Sequence, residues 1–399
     1  GTGTFVKTGI GELLWGAAGQ ALNVNFGAGA LIDIQAGRLR NEYALGVWTS
    51  NLASMNIAAS GTFMLWDANT TINALTGSGV IDKGQNNSHT LTVGVAGGSG
   101  TFSGPIINAT GTISLTKVGI GTQTLTGTST YIGVTQAAGG VLELDFVNMA
   151  TPTNLIGSSS ALQLAGGVLR VKGKSSGSTA QTVNGLTLLA GGGSLLVNPN
   201  GGTGSTVTLG AITTSNVGGS ALVGTAPGAG TGTVSITTTT ALTTGSAIYP
   251  ARLVYTDGTN YDWATTTTTT PFVLSGLVSG SYTALATAAG TDTANSLLTS
   301  STTLAGSRTT NTLKVANPAA AQSLTVGAGN LLTLTGGGLL VTGSNDFSIS
   351  SGTLTAGNAL GAYDLILQQY STGTLTVASA FADNGANATA LTKAGPGAL

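Results

Sequence analysis

The chain has 399 residues, of which only 6% are Asp, Glu, Lys or Arg, against about 25% in a typical soluble domain. Its 12 basic and 13 acidic residues form no run of either sign, which excludes the basic stripe that nucleic-acid binding needs. Because 41% of the residues are hydrophobic and the net charge is −1, the composition also excludes a disordered chain.

Cysteine is absent, and this excludes disulfide frameworks and thiolate metal sites. A chain without cysteine suits a protein that has to stay unlinked during export. No apolar run approaches the roughly 18 residues of a membrane helix, and the first residues lack the basic start and apolar stretch of a signal peptide. We therefore expect a mature or excised piece of an exported protein.

Short segments in which apolar and polar residues alternate follow one another along the chain. This alternation predicts strands with one buried and one exposed face, while the 64 glycines disfavour helices of ordinary length. The pattern is clear in residues 91–93, 113–116, 142–146 and 169–172. The first 70 residues add Trp15, Trp48 and Trp66, which predicts more elaborate first coils.

Glycine pairs punctuate the strands at similar offsets. Residues 162–171 read L-x-L-x-G-G-x-L-x-V, residues 332–341 repeat that pattern, and residues 186–197 repeat it with two extra residues. Such repetition is typical of a solenoid, in which each coil buries its apolar face only against neighbouring coils. An antiparallel sandwich is the alternative. The sequence favours an all-β chain, residues 1–399, folded as one right-handed parallel β-helix (β-solenoid) with roughly 20–25 residues per coil.

Residues 245–275 interrupt this rhythm. They contain Pro250, Pro271 and a threonine run at 265–270, so we expect a protruding loop or one irregular coil. The segment also concentrates aromatic and acidic side chains that form a candidate ligand patch for sugar stacking: Tyr255, Asp257, Tyr261, Asp262 and Trp263. A polar loop pinned by its aromatic residues is the alternative interpretation.

Three segments, residues 5–13, 115–127 and 391–399, share an apolar-x-Lys-x-Gly-x-Gly core. This core resembles the passenger-associated transport repeat of bacterial autotransporters. The central copy continues, as that repeat does, through Tyr131 to a closing strand at 140–144. The resemblance implies a secreted β-helix on the bacterial outer surface, in a family that includes adhesins, proteases and giant surface proteins of unknown role.

Candidate catalytic residues are few. His89 is the single histidine, and its segment offers no convergent acid and nucleophile, so we interpret it as an outward strand or turn residue. Glu143 and Asp145 share a strand face at a spacing compatible with retaining glycoside hydrolysis. We favour an outward face opposite Arg170 and Lys172 of a nearby coil. The sequence thus predicts no enzyme, no metal site and no cofactor.

The function that these patterns favour is a non-catalytic structural element of the bacterial cell surface, such as a stalk, filament or sheath. Bare strand edges at both ends of a solenoid segment pair readily with another copy or with further coils of a longer chain. The expected partner is therefore the protein itself. An adhesin that binds neutral glycans or host proteins is the alternative. The predicted assembly ends comprise Phe5, Lys7, Leu13, Leu391, Lys393 and Leu399.

Overall fold

A computed structural model describes residues 2–16, 23–42, 48–214, 217–241, 248–249, 251–317, 319–357 and 364–399. Within these ranges the regular elements are strands, together with one 3-10 turn at Ser279–Ser281. No helix in the described part of the chain is long and apolar enough to cross a membrane. The prediction of an all-β chain is confirmed.

The first strands in chain order are β1 (Thr4–Lys7), β2 (Glu12–Trp15), β3 (Leu31–Asn41), β4 (Ser54–Leu65), β5 (Thr70–Ile72), β6 (Leu75–Gly77), β7 (Val80–Lys83), β8 (Ser88–Val93), β9 (Gly100–Phe102), β10 (Thr112–Lys117), β11 (Thr122–Leu125), β12 (Thr135–Ala137), β13 (Val141–Asp145), β14 (Leu162–Leu164), β15 (Val168–Lys172), β16 (Ser178–Thr182), β17 (Leu186–Leu188), β18 (Gly193–Asn198), β19 (Gly204–Thr208), β20 (Ile212–Thr214), β21 (Ala221–Thr225) and β22 (Thr233–Thr238). They are followed by β23 (Leu253–Thr256), β24 (Tyr261–Thr266), β25 (Phe272–Gly276), β26 (Thr283–Ala284), β27 (Gly290–Thr291), β28 (Asn295–Leu298), β29 (Thr302–Thr303), β30 (Arg308–Asn317), β31 (Gln322–Thr325), β32 (Leu331–Gly343), β33 (Phe347–Ser350), β34 (Thr353–Ala356), β35 (Asp364–Gln369), β36 (Leu375–Val377), β37 (Ala380–Phe381) and β38 (Ala390–Ala394).

The chain divides into two compact units. The first contains residues 1–188, 193–213 and 228–239, and the second contains residues 189–192, 214–227 and 240–399. In the first unit, parallel strands from successive coils stack into three faces. One face follows the order β5, β8, β10, β12, β14, β17 and β20, a second includes β11, β13, β15 and β18, and a third is β16, β19 and β22. This stacking of parallel strands, coil upon coil, is a β-solenoid, as predicted.

Some coils have the length that the sequence suggested, since Ser99 and Thr122 meet across adjacent coils 23 residues apart, and others are slightly longer. Thr187 and Thr213, which meet across adjacent coils, are 26 residues apart, and Glu143 and Arg170 are 27 residues apart. Some coils carry a third strand, such as β16, after the two strands that the glycine pairs separate.

The core of the first unit follows the alternation of the sequence. Leu142 and Leu144 of β13 are fully buried, and so are Leu162 and Leu164 of β14, while Gln163 between them is partly exposed. Each inward leucine lies opposite an apolar residue of the next coil, so a continuous column of side chains fills the interior.

The second unit also stacks parallel strands. β28, β30, β32 and β34 follow one another on one face, β35 and β38 extend it, and β29, β31, β33 and β36 form another face. Between these faces lies a core of leucine, valine and isoleucine side chains around Phe347. The repeat that the sequence shows at residues 332–341 falls in β32, the longest strand.

The segment 245–275 differs from this parallel stacking. Its residues 245–247 and 250 lie outside the described residues. The remainder forms an antiparallel meander, in which β24 pairs with β23 on one side and with β25 on the other. β23 also pairs in parallel with β21 of the same unit.

Candidate functional site

The lysine of the shared motif points into the corner of its coil. Lys7 Nζ donates to the carbonyl oxygens of Thr8 and Gly9 at 2.8 and 2.7 Å. It also donates, at 3.0 Å, to the carbonyl oxygen of Ala36 in the following coil. One ammonium group therefore holds the corner of its own coil and joins that corner to the next one.

Lys117 repeats this arrangement in the central copy. Its Nζ donates to the carbonyl oxygens of Val118, Gly119 and Gly139 at 2.7, 3.1 and 3.2 Å. The side chain is fully buried, and burial lowers the pKa of Lys117. Gly119 adopts a φ of +66°, and a Cβ there would lie 2.0 Å from the carbonyl oxygen of Gly94. The glycine of the motif is thus required by the close approach of two coils.

Lys393, in the third copy, differs from the other two. Its Nζ donates to the carbonyl oxygen of Gly395 at 2.6 Å, the counterpart of the bond from Lys7 to Gly9. In the described part of the chain no later coil offers the carbonyl that Ala36 gives to Lys7, and the side chain of Lys393 is exposed. The third lysine therefore has the geometry of the motif without the contact between coils.

The strands at the beginning of the chain leave inward side chains partly exposed. Phe5 lies in register with Ile32, and Leu13 lies in register with Leu39. Ile32 and Leu39 are fully buried, whereas Phe5 and Leu13 are only half-buried. The interior column of the first unit thus reaches the surface at this coil.

The last strands of the second unit show the same feature. Phe381 pairs with Leu354, and Leu391 pairs with Leu365. The inner partners are buried to 1% and 0% exposure, but Phe381 is 42% and Leu391 is 50% exposed. β38 pairs only with β35 among the described strands, and Leu399 is also exposed. Residues Phe381, Leu391, Lys393 and Leu399 are called the C-terminal edge below.

The five residues of the predicted ligand patch fall on two sides of the antiparallel meander. Tyr255, Asp257 and Asp262 line a cavity of about 370 Å³. Tyr261 borders a different groove of about 480 Å³, to which Asp262 also contributes. Trp263 is fully buried, so the expectation that it stacks on a ligand is wrong: strand alternation turns it into the protein interior, where its indole ring approaches Gly338.

Asp257 is committed to a local turn. Its carboxylate accepts hydrogen bonds from the backbone N–H groups of Thr259 and Asn260 at 2.8 and 2.7 Å, and from Asn260 Nδ2 at 2.9 Å. Burial alone would raise the pKa of Asp257, but these hydrogen bonds outweigh it and hold that pKa below its usual value. This carboxylate shapes the loop and is not a poised acid.

The two acids on β13 face partners on the next coil. Arg170 Nη1 lies 3.3 Å from Glu143 Oε2, and Lys172 Nζ lies 3.0 Å from Asp145 Oδ2. The strand register places each basic residue directly opposite its acid. This outcome confirms that Glu143 and Asp145 lie opposite Arg170 and Lys172 of a nearby coil, and it adds that the four side chains form ion pairs.

His89 lies in β8 in register with the fully buried Ile113 and is half-buried, so it occupies an inward position and the interpretation as an outward residue is wrong. Burial and the nearby Lys83 lower the pKa of His89, against an opposing effect of Asp67. Within the described ranges, no three His, Cys, Asp or Glu side chains converge as metal ligands.

Two arrangements of the second unit were missed by sequence reasoning. Tyr261 stacks on Tyr370, with ring centroids 4.7 Å apart and planes at 19°. Arg252 forms a buried ion pair with Asp364 at 3.1 Å, between residues 112 positions apart. Neither pairing has a local signal, because each joins the meander or its flank to a strand several coils later.

Comparison with known proteins gives one curated relative of note, the adhesin BmaC autotransporter of Brucella suis biovar 1 (strain 1330). The identity is 31% over 196 residues, which covers 45% of this chain and 5% of that protein. The chain thus spans only a small part of the length of this relative. No family model matches the chain, and no solved structure matches it significantly. The similarity to an autotransporter adhesin and the stacked parallel strands together confirm the resemblance to autotransporter passengers.

Proposed function

We propose that this chain is a non-catalytic, surface-exposed segment of an autotransporter-like passenger, and that it acts as a stalk or filament element. Its coils would extend by end-on stacking, either with further coils of a longer chain or with a second copy. The observation that carries this proposal is the partial exposure of inward apolar residues in the first strands of the first unit, at Phe5 and Leu13, and in the last strands of the second unit, at Phe381 and Leu391.

The motif lysines support stacking at the C-terminal edge. Lys7 and Lys117 each bind a carbonyl of the following coil. Lys393 keeps only a bond within its own turn, so a stacked coil would supply the missing acceptor. An edge strand such as β38 also offers backbone groups for pairing with another strand. Because the two ends differ, contact between copies would be head-to-tail and would propagate.

The surface charges support a structural role over catalysis. Glu143 and Asp145 are neutralised by the next coil, and Asp257 is held by its own loop. With a net charge of −1, long-range repulsion between copies is small. Glycoside hydrolysis uses two nearby carboxyl groups with different pKa values. The contacts of Glu143, Asp145 and Asp257 do not favour that role.

The stacking proposal is tested by charge at the C-terminal edge. Leu391→Glu and Phe381→Glu together place carboxylates where a stacked coil would bury them. Burial of each unpaired carboxylate should weaken stacking by at least about 2 kcal/mol. Both side chains are about half exposed in the single chain, so folding is little affected. Ile120→Glu is the matched control, since Ile120 is 92% exposed on a corner of the central motif.

We expect the unmodified chain and Ile120→Glu to form concentration-dependent oligomers in light scattering, and the double variant to remain monomeric. A monomeric unmodified chain at high concentration, or equal assembly by the double variant, would contradict end-on stacking between copies. Thermal melting of all three proteins verifies that they are folded.

An adhesin is the second candidate function. The name of the relative supports it, and so do the two cavities beside the meander of the second unit. The ligand of such an adhesin would be a neutral glycan or a host protein. Cell-surface display is common to both candidates, and a whole-cell binding assay with and without this segment separates the adhesin from a passive stalk.

A further inference from the structure

The larger groove of the second unit lies where the meander meets three strand ends. β30, β32 and β35 stack in parallel, and the register places Ala316 opposite Thr342. Tyr370, which follows β35, donates its backbone N–H to the carbonyl of Val341 at 2.9 Å. The start of β24, at Tyr261, forms the facing wall, and the groove encloses about 480 Å³. This volume lies within the roughly 300–1,000 Å³ of small-molecule sites.

The groove has no net charge of its own. Lys314 and Asp262 are the charged residues that line it, and they form an ion pair with each other. Asp262 also accepts a hydrogen bond from the hydroxyl of Tyr282 at 3.0 Å, and Lys314 Nζ lies 5.3 Å from the centre of the Tyr282 ring. An anionic or cationic ligand would have to compete with these contacts, so the groove favours a neutral one.

The lining of the groove suits a ring that carries hydroxyl groups. The small residues Ala316 and Gly343 line it together with Tyr261 and Tyr370, whose rings stack on each other. Tyr261 is only half-buried. An aromatic ring with a polar tip offers an apolar face and a hydrogen-bonding group together. Exposed Thr372 is one of several hydroxyl and amide side chains around the rim.

We propose that this groove is a binding site for a neutral saccharide, with a pyranose ring packed against Tyr261 beside the small side chain of Ala316. The C–H face of the sugar would contact the tyrosine, and its hydroxyl groups would bond to Thr342, Thr372 and the amide of Asn260. The proposal rests on the adhesin candidate above and gives it a site and a class of ligand. Of the ligand patch predicted from the sequence, it uses Tyr261 and Asp262.

The test fills the groove without removing the contacts that build it. Thr372→Trp introduces a bulky side chain at an exposed lining position, and Ala316→Trp does so at a half-buried one. Ser348→Trp is the control, because Ser348 is an outward residue of β33 in the same unit and lies between Ser323 and Thr376, away from the groove. Lactose, maltose and cellobiose serve as neutral probes, 3′-sialyllactose as an acidic probe and gelatin as a protein probe, measured by saturation-transfer difference NMR and calorimetric titration.

We expect at least one neutral disaccharide to bind, with at least a tenfold loss of affinity in both groove variants and an unchanged affinity in Ser348→Trp. The proposal is overturned if none of the neutral sugars binds at millimolar concentration, or if Thr372→Trp binds as tightly as the unmodified chain. It is also overturned if only sialyllactose or only gelatin binds. The oligomeric state measured on the same samples reports on end-on stacking separately, since none of the three variants lies at the C-terminal edge.

Discussion

Replacing Lys117 with methionine tests how the shared motif holds a solenoid corner. Methionine keeps most of the length and apolar volume of lysine and removes only the ammonium group. That group donates three hydrogen bonds to the carbonyls of Val118, Gly119 and Gly139, within 2.7 to 3.2 Å. The variant therefore removes the links within the corner and between two coils in a single step.

Two opposing effects determine how much unfolding free energy the Lys117→Met variant loses. A hydrogen bond to a charged group contributes roughly 1.5–3 kcal/mol, so three bonds suggest a large loss. Removal of the ammonium group also removes the cost of its burial, which offsets part of this loss. The lowered pKa of Lys117 indicates that its ammonium group has lost hydration on burial. Val118, Gly119 and Gly139 are also partly exposed, so water satisfies some of the abandoned carbonyls. We expect a net loss of about 3 kcal/mol in the free energy of unfolding.

Lys393→Met is the matched comparison. Lys393 is exposed and makes one such bond, to Gly395, so its removal should cost about 0.5 kcal/mol. Urea unfolding followed by circular dichroism measures both variants. A Lys117→Met loss below about 1 kcal/mol, or an equal loss in the two variants, would refute the role of the lysine as a clamp between coils.

Two further predictions concern the core. Leu164→Asp should lower stability by at least about 4 kcal/mol, because it buries an unpaired carboxylate, whereas Gln163→Asp should cost under about 1 kcal/mol; equal melting temperatures would mean that the strand register is wrong. Burial raises the pKa of Tyr131 well above its usual value, against a smaller opposite effect of its hydrogen bond to Thr135. The unfolded chain therefore loses this proton first, so stability falls as pH rises above about 10. Tyr131→Phe should flatten that fall by up to about 1.4 kcal/mol per pH unit, and an unchanged slope in alkaline urea titrations would contradict the assignment.

Local periodicity explains why much of the fold was predictable. Alternation alone places Leu142 and Leu144 inside and Glu143 outside. The repeat then brings an equivalent strand opposite, so Arg170 meets Glu143 across one coil. Both inferences need only neighbouring residues and a repeat length, and the sequence contains both.

Contacts that skip coils or leave the repeat were not predictable. Gln123 stands at an inward position, and its amide bonds both the N–H and the carbonyl of Leu75, which lies 48 residues earlier. The larger groove of the second unit likewise includes Tyr261 and Tyr370, which meet although they are far apart in the sequence. Trp263 was included in the candidate ligand patch beside Tyr261 and Asp262, but its side chain is fully buried. Such placements depend on where distant strands end, which alternation does not encode.

Negative-stain electron microscopy of the purified 399-residue chain tests end-on stacking most directly. If coils stack through the C-terminal edge, the unmodified chain at high concentration should form filaments many molecules long. The variant that carries both Leu391→Glu and Phe381→Glu should then give single particles. Single particles for the unmodified chain under the same conditions, or filaments in the variant, would contradict end-on stacking between copies.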